Sequence, residues 1–297
     1  DLAAHIRRGG HVLVISGGYN TNCNQLANRQ SEIQAKYPEQ TTPLLKIDGN
    51  YAFSLSLERL QFNESSTVSD VPVIDIKNAE KVVLLGVEFS NLIDTPLKIY
   101  ANQTVVQHSR FINNVSESFI EANYIALTAN QFINNEHTIY MTSNSGKALL
   151  RQNDYIANES GINVYAPYLE FTHNRVNFNI FPDSKSYIGY SGTTPLLKVR
   201  HMYDSDSGNL ITSEHVHLHN NEFIGNYRNI LGTTFEVYAK YAEITNNMVV
   251  NNYFPEAANI SAHSVKLINN LFAKNSTFTA AIQVEILGGE AKINNNT

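Results

Sequence analysis

The chain has 297 residues, yet it contains no Trp and only one Cys, Cys23. A single Cys cannot form a disulfide within the chain, so the cysteine content does not identify the compartment. No run of 18 apolar residues is present, which excludes a membrane-spanning helix. Charged residues make up 16% of the chain and give a net charge of −6. This balance argues against nucleic acid or an anionic membrane as a partner.

A short phrase recurs along the chain: Asn, any residue, a large apolar residue, two further residues and Asn. Clear copies span residues 130–135, 153–158, 174–179, 221–226, 247–252 and 270–275, and a looser copy spans 109–114. The central apolar residues recur every 21–27 residues, except for one interval of 47 between Val176 and Phe223. A period in the low twenties indicates a solenoid.

Each repeat has two alternating apolar and polar runs before the phrase, such as residues 235–239 and 241–245. These runs leave no room for a helix of about ten residues, so each repeat is predicted to form three short strands. Coils of three strands that stack at about 4.8 Å form an all-β, single-stranded parallel β-helix. A leucine-rich repeat would need a leucine ladder that is absent, and a β-sandwich or barrel would not explain the fixed phase of the Asn residues.

The two Asn residues of the phrase predict two ladders along the solenoid. Asn tolerates a left-handed backbone at a sharp corner, and its amide can bond the equivalent amide one coil away. The predicted ladder residues are Asn114, Asn130, Asn135, Asn153, Asn158, Asn174, Asn179, Asn221, Asn226, Asn247, Asn252, Asn270 and Asn275. Each such bond contributes about 1 kcal/mol.

Residues 1–297 are interpreted as one domain with three irregular parts. Residues 1–10 are predicted to form a short amphipathic helix that caps the first coil, because Asp1 can cap it and Gly9 and Gly10 end it. Residues 181–213 are predicted to be one coil with two inserted loops. The chain stops within a repeat phrase at Thr297, so the carboxyl-terminal end is expected to be truncated or uncapped and to allow self-association.

Several of these features together resemble a known group of proteins. They are the opening helix, the strand that ends in Gly17, Gly18 and Tyr19, the nearby Cys23, the turn at residues 47–49 and the Asn-x-Phe-x-x-Asn coils. Together they resemble the secreted right-handed β-helix repeat proteins of bacteria, relatives by fold of pectate lyases. The resemblance covers nearly the whole chain and implies a right-handed coil, in line with the usual crossover preference, and a secreted or cell-surface location.

That group contains lyases, hydrolases, epimerases, phage tailspikes and adhesin passengers, so the fold does not choose a function. The epimerase signature Asp-Pro-His-Asp is absent. No clear set of calcium-binding aspartates stands beside a catalytic Arg or Lys, as in pectate lyases.

A strand with alternating His is the clearest chemical feature. In residues 215–219, Val216 and Leu218 are predicted to point inward, which turns His215, His217 and His219 outward. Alignment with the neighbouring coils places Glu170 and Glu243 beside His217. This column is a candidate for general acid–base catalysis, for a divalent cation at His215, His217 and Glu243, or for a solvated ladder of charges. No other cofactor is expected.

The inserted loops carry further candidate residues. Asp204 and Asp206 begin a segment similar to a calcium loop, but His stands where the twelfth-position Glu belongs, so an Asp- and Ser-rich turn is the better interpretation. Both residues are also catalytic candidates if the protein is an enzyme. Aromatic rings and guanidinium groups suit sugar rings and the carboxylates of acidic glycans. The candidates for ligand binding are Tyr187, Tyr190, Tyr203, Arg151, Arg175, Arg200, His215 and His219.

The first expectation is an adhesive, glycan-binding stalk at a cell surface or in the extracellular space, with a polysaccharide or a host glycan as its partner. One alternative is a polysaccharide lyase or hydrolase, for which Glu170, His217, Glu243, Asp204 and Asp206 are the catalytic candidates. The other alternative is a structural spacer or filament subunit.

Overall fold

The computed structural model describes residues 11–16, 31–33, 43–49, 53–63, 71–181, 197–200, 213–228, 233–253, 256–276 and 282–297. Within these ranges the chain is all β, and every pairing of strands is parallel. The predicted parallel β-solenoid is therefore confirmed. The predicted cap helix at residues 1–10, Cys23 and the inserted segments 182–196 and 201–212 lie outside the described residues. Right-handed coiling stays a prediction.

In chain order, the strands are β1 (His11–Ser16), β2 (Ser31–Ile33), β3 (Leu45–Asp48), β4 (Phe53–Glu58), β5 (Leu60–Asn63), β6 (Ile74–Leu85), β7 (Glu88–Ser90), β8 (Leu97–Gln107), β9 (Arg110–Ile112), β10 (Ser118–Thr128), β11 (Gln131–Ile133), β12 (Ile139–Thr142), β13 (Lys147–Arg151), β14 (Asp154–Ile156), β15 (Ile162–Tyr165), β16 (Tyr168–Thr172), β17 (Arg175–Asn177), β18 (Ile180–Phe181), β19 (Leu197–Arg200), β20 (Ser213–His219), β21 (Glu222–Ile224), β22 (Tyr227–Arg228), β23 (Thr233–Thr245), β24 (Met248–Val250), β25 (Glu256–Ile268), β26 (Leu271–Ala273), β27 (Ile282–Ile286) and β28 (Ala291–Asn294).

These strands form one sheet of sixteen strands, one of ten and one of two. The ten-stranded sheet takes the short third strand of each coil, from β2 to β26. The first two strands of a coil belong to the sixteen-stranded sheet. In one coil these two strands are separate and form β12 and β13. In other coils they are joined into one long strand, such as β8 or β10, which runs through the position where the coil bends. The prediction of three strands per coil therefore holds, with the first two fused in several coils.

The interior contains a stack of aromatic rings on the third strand of successive coils. Phe62, Phe89, Phe111, Phe132 and Tyr155 are each at most 2% exposed. Their ring centroids are 5.3, 5.0, 4.7 and 4.8 Å apart in that order. This spacing is the distance between hydrogen-bonded strands, so each coil adds one ring to the stack and fixes the phase of the next coil.

The two predicted Asn ladders are confirmed, as the bonds of Asn135 illustrate. Its Oδ1 accepts from the backbone N–H and the Nδ2 of Asn114, at 2.9 and 3.1 Å. Its Nδ2 donates to the carbonyl of Phe111 and to Oδ1 of Asn158, both at 2.9 Å. One ladder joins Asn114, Asn135, Asn158, Asn179, Asn226, Asn252 and Asn275. The other joins Asn130, Asn153, Asn174, Asn221, Asn247 and Asn270 and continues to Asn296.

The corner geometry corrects one sequence-based expectation. The left-handed backbone lies at the residue before each ladder Asn and not at the ladder Asn itself: Ala129 has φ 55° and precedes Asn130, and Asn134 has φ 55° and precedes Asn135. The ladder side chains therefore point into the solenoid from an ordinary backbone. The strained residue beside each of them makes the turn.

Candidate functional site

Strand β20 turns its three His side chains away from the core, as predicted. Val216 and Leu218 are completely buried, whereas His215 is exposed and His217 and His219 are partly exposed. The cause is the alternation of side chains along a strand. The apolar positions follow the core columns of the neighbouring coils, which leaves the imidazoles on the outer face of the sixteen-stranded sheet.

The predicted column of Glu170, His217 and Glu243 is present, and cations bond both carboxylates. His217 pairs with Glu170 on one side and Glu243 on the other in the strand register. Arg151 bonds Glu170 at 2.8 Å, Lys266 bonds Glu243 at 2.5 Å, and Nδ1 of His217 lies 3.5 Å from the Glu243 carboxylate. The hydrogen bond to Glu170 raises the pKa of Arg151 above its ordinary value. Each carboxylate of the column is therefore paired with a cation on the outer face.

These residues border a shallow depression of about 320 Å³, here called the histidine depression. Its lining is Tyr168, Glu170, Thr172, His217, His219, Glu243 and Thr245. Nδ1 of His219 is 2.6 Å from the Thr245 hydroxyl. The ammonium of Lys147 lies 4.8 Å from the centre of the Tyr168 ring. Most polar and aromatic groups of the histidine depression therefore already have partners within the protein.

The geometry gives no support to a metal site at His215, His217 and Glu243, which stays a prediction. Among the residues that the structure describes, no three His, Cys, Asp or Glu side chains form a group that could hold a metal ion. The rings of His215 and His217 have centroids 6.5 Å apart.

Of the remaining candidates, the two Arg side chains that the structure describes lie apart. Arg175 makes a two-pronged bond with Asp154, at 2.6 and 2.7 Å, on the ten-stranded sheet, and this bond raises the pKa of the guanidinium. Arg151 is on the other sheet. Arg200 ends β19, but its side chain is outside the description. The inserted-loop candidates Tyr187, Tyr190, Tyr203, Asp204 and Asp206 also lie outside the described residues.

A second, larger depression lies where the first two strands of the coil meet. Its volume is about 440 Å³, and we name it the bend depression. Its lining is Glu80, Tyr100, Ala101, Asn102, Glu121, Ala122, Asn123 and Asn144. Sequence reasoning did not identify any of these residues as part of a site.

The bend itself depends on close contact between coils. At Gly146, an added Cβ would lie 1.6 Å from the carbonyl oxygen of Asn123, so only glycine fits there. The hydroxyl of Ser143 donates to the same carbonyl oxygen at 2.9 Å and accepts from the Gly146 N–H at 3.2 Å. These contacts hold the segment between β12 and β13 against β10 and so fix one end of the bend depression.

A row of hydrogen-bonded polar side chains follows the bend from coil to coil. Ser145 donates to Oδ1 of Asn123 at 2.9 Å, Asn123 donates to Oδ1 of Asn102 at 3.0 Å, and Asn102 donates to Glu80 at 2.9 Å. An amide has two N–H donors and two acceptor lone pairs. The bonds within the row use one N–H and one lone pair of Asn102, so this side chain keeps a donor and an acceptor for a ligand.

Four partly buried aromatic rings run beside this row on the first strands of the coils. The ring centroids of Tyr100 and Phe119 are 5.5 Å apart, those of Phe119 and Tyr140 are 5.4 Å apart, and those of Tyr140 and Tyr165 are 5.0 Å apart. We call these four residues the aromatic strip. The Phe119 and Tyr140 rings are stacked, with 12° between their planes, whereas the planes of the other two pairs are tilted by 47° and 32°.

A sequence signal for this second site does exist. Asn102 and Asn123 occupy equivalent positions in consecutive coils, 21 residues apart, and aromatic residues precede each of them. The strong Asn phrase on the third strand concealed the weaker repeat on the first strand. The depression forms where the first two strands of a coil meet. The bend creates this meeting point, and the alternation of apolar and polar residues in the sequence does not reveal it.

No family model, curated protein or solved structure matches this chain. The function therefore has to be argued from the outer face of the solenoid. No helix long and apolar enough to cross a membrane occurs in the part of the chain that the structure describes.

Proposed function

We propose that this protein is a rigid β-solenoid stalk that binds a glycan chain along the bend depression. The observation that carries the proposal is the polar row of Glu80, Asn102 and Asn123 beside the aromatic strip. Binding sites for small molecules and sugars combine apolar surface with a few positioned polar groups. A sugar chain has the matching chemistry, because its hydroxyls can bond to the row while its C–H groups contact the partly exposed rings of the strip.

The dimensions of the row favour a chain over a single sugar. The row joins side chains from consecutive coils between Glu80 and Ser145, and consecutive coils are separated by about 4.8 Å. A ligand that follows it contacts several coils at once. The rigid stack of coils then holds the polar groups at fixed intervals, so that little conformational entropy is lost when the ligand binds.

The enzyme alternative has its candidate residues in the histidine depression. A glycoside hydrolase needs one carboxyl group that donates a proton and a second that acts as base or nucleophile. Arg151 and Lys266 already bond Glu170 and Glu243, so part of the hydrogen-bonding capacity of both carboxylates is occupied within the protein. This arrangement favours a ladder of charges. The catalytic roles of Glu170, His217 and Glu243 stay a prediction that the same experiment tests.

The experiment is a binding screen combined with product analysis. The purified chain is applied to immobilised acidic and neutral polysaccharides, and the soluble fraction is assayed for new reducing ends and for unsaturated uronates. Binding without new products is the expected result. If the chain cleaves a polysaccharide and this activity is lost in Glu243→Gln or His217→Ala, the proposed function is wrong and the protein is an enzyme. If the screen shows neither binding nor cleavage, the structural spacer or filament subunit is the remaining interpretation.

The proposal includes a secreted or cell-surface location, which the β-solenoid architecture supports through its resemblance to secreted proteins. Antibody labelling of intact source cells and of their medium tests it, because an internal protein would be labelled only after lysis. Self-association through the carboxyl-terminal end stays a prediction. Light scattering at increasing protein concentration measures it.

A further inference from the structure

We infer that the bend depression selects an uncharged glycan chain and rejects one that carries carboxylates. This inference rests on the proposed function and specifies its ligand. It opposes the sequence-based expectation that Arg151, Arg175 and Arg200 would bind the carboxylates of an acidic glycan.

The lining of the bend depression supplies negative charge and hydrogen-bonding groups but no positive charge. Two of its eight residues are Glu80 and Glu121, three are Asn, and none is Lys or Arg. Recognition of a carboxylate in proteins usually relies on Arg or Lys, because a charge-assisted bond compensates for the lost hydration. A uronate in this depression would instead stand beside two carboxylates. Like charges in such contact oppose binding.

The cations near this face do not line the depression. Arg151 bonds Glu170, and Lys98 lies 5.7 Å from the centre of the Tyr100 ring. Lys81 follows Glu80 in the chain and is exposed. A carboxylate on the ligand would have to compete with Glu170 for Arg151 and with an aromatic ring for Lys98, and at Lys81 it would stand beside Glu80.

The polar groups of the depression match hydroxyl groups. Carboxylates accept hydrogen bonds only, whereas amides both donate and accept. Glu121 accepts one bond at 3.2 Å from Asn144, and its other acceptor sites can take bonds from sugar hydroxyls. Each hydroxyl is both donor and acceptor, so it can bridge a carboxylate and a neighbouring amide such as Asn123. No charged group on the ligand is needed.

The test compares matched pairs of ligands. Neutral hexasaccharides of gluco, manno and galacto configuration and the corresponding uronic acid hexamers are titrated into the full chain by calorimetry, at low and at moderate salt. We expect at least one neutral hexamer to bind about tenfold more tightly than its uronate partner, a difference that narrows as salt screens the repulsion.

Two variants locate the charge that discriminates. The double variant Glu80→Gln and Glu121→Gln should bring the affinity for the uronate to within about threefold of that for the neutral hexamer. The control, Glu222→Gln, changes a carboxylate on the ten-stranded sheet and should leave the ratio unchanged. If uronates bind as tightly as neutral hexamers, the inference is wrong, but the proposed function as a glycan-binding stalk stands. If no hexamer of either kind binds, the proposed function fails and the inference fails with it.

Discussion

Asn134 and Asn135 are adjacent in sequence and identical in chemistry, yet their surroundings are opposite. Asn135 is 1% exposed, and its side chain makes four hydrogen bonds to the two neighbouring coils. Asn134 is exposed, has a left-handed backbone and donates one bond, at 2.9 Å, to Asn113. The first residue holds coils together, and the second makes the corner. Loss of its hydrogen-bond partners would cost a buried amide far more free energy than it would cost an exposed amide. The same residue type therefore has two different roles.

The comparison extends to the two faces of the coil. Inside, the same residue type returns in coil after coil, as in the Phe stack and the Asn ladders, because each side chain bonds or stacks on its copy. Outside, the residue type changes along a column, as from Glu170 to His217 to Glu243. Polar repetition on the outer face occurs in short rows in which each amide bonds its copy, as in the corner column of Asn113 and Asn134 and in the pair of Asn102 and Asn123.

The largest expected effect is the loss of a buried ladder amide. Asn135→Ala removes the partners of two N–H groups of Asn114 and of the Phe111 carbonyl, so the free energy of unfolding should fall by about 3 kcal/mol. Asn134→Ala should cost about 1 kcal/mol, because it removes one solvated bond and places Ala in a left-handed backbone that Asn tolerates better. Urea unfolding of both variants measures the difference. Equal losses would show that burial does not separate the two residues.

A partly buried carboxyl group gives the next effect. Burial raises the pKa of Glu117 from its ordinary value of 4.5 to about 7, against the opposing hydrogen bond from Asn163. Between these pH values the folded state keeps a proton that the unfolded state releases, so stability falls as the pH rises. The loss should reach about 2–3 kcal/mol by pH 7 and then level off. Urea unfolding from pH 4 to 8, compared with Glu117→Gln, isolates this contribution. Identical pH profiles would contradict it.

A buried hydroxyl group should produce a gain when it is removed. Tyr155 ends the stacked Phe series, its hydroxyl has no hydrogen-bond partner, and burial raises its pKa above the ordinary value. Tyr155→Phe should therefore increase the free energy of unfolding by about 1 kcal/mol, since an unpaired polar atom leaves the core. Tyr241→Phe, at a ring that is 42% exposed, should change it by less than about 0.5 kcal/mol. Destabilisation by Tyr155→Phe would indicate an unseen partner.

The smallest expected effect is an extension of the exposed Asn column. Ala157 occupies the corner equivalent to Asn134 and has φ 55°. In Ala157→Asn the residue tolerates this backbone better, and the new amide can donate to Asn134. A gain of about 0.5–1 kcal/mol is expected. Ala157→Gly relieves the backbone strain without adding the bond, so thermal unfolding of both variants separates the two causes. If Ala157→Asn gained no more than Ala157→Gly, the exposed bond would contribute nothing.

The sequence predicted those features that depend on period alone. The Asn phrase set the phase of the coils, and that phase correctly predicted the ladder residues and the neighbours of His217. The alternation of Val216 and Leu218 correctly turned the His residues outward. Contacts that depend on the reach of long side chains were not predictable. Glu170, for example, bonds Arg151, which is two positions along the neighbouring strand. The bend depression was also missed, because it arises where two strands of one coil change direction.

The most direct measurement of glycan binding along the bend is the affinity of the glycan found in the binding screen for two matched variants. Asn123→Ala removes an exposed amide from the polar row, and Asn134→Ala removes an exposed amide from a corner of the ten-stranded sheet. Isothermal titration should show at least about tenfold weaker binding for Asn123→Ala and no change for Asn134→Ala. Equal affinities of both variants and the unaltered protein would contradict glycan binding at the bend depression.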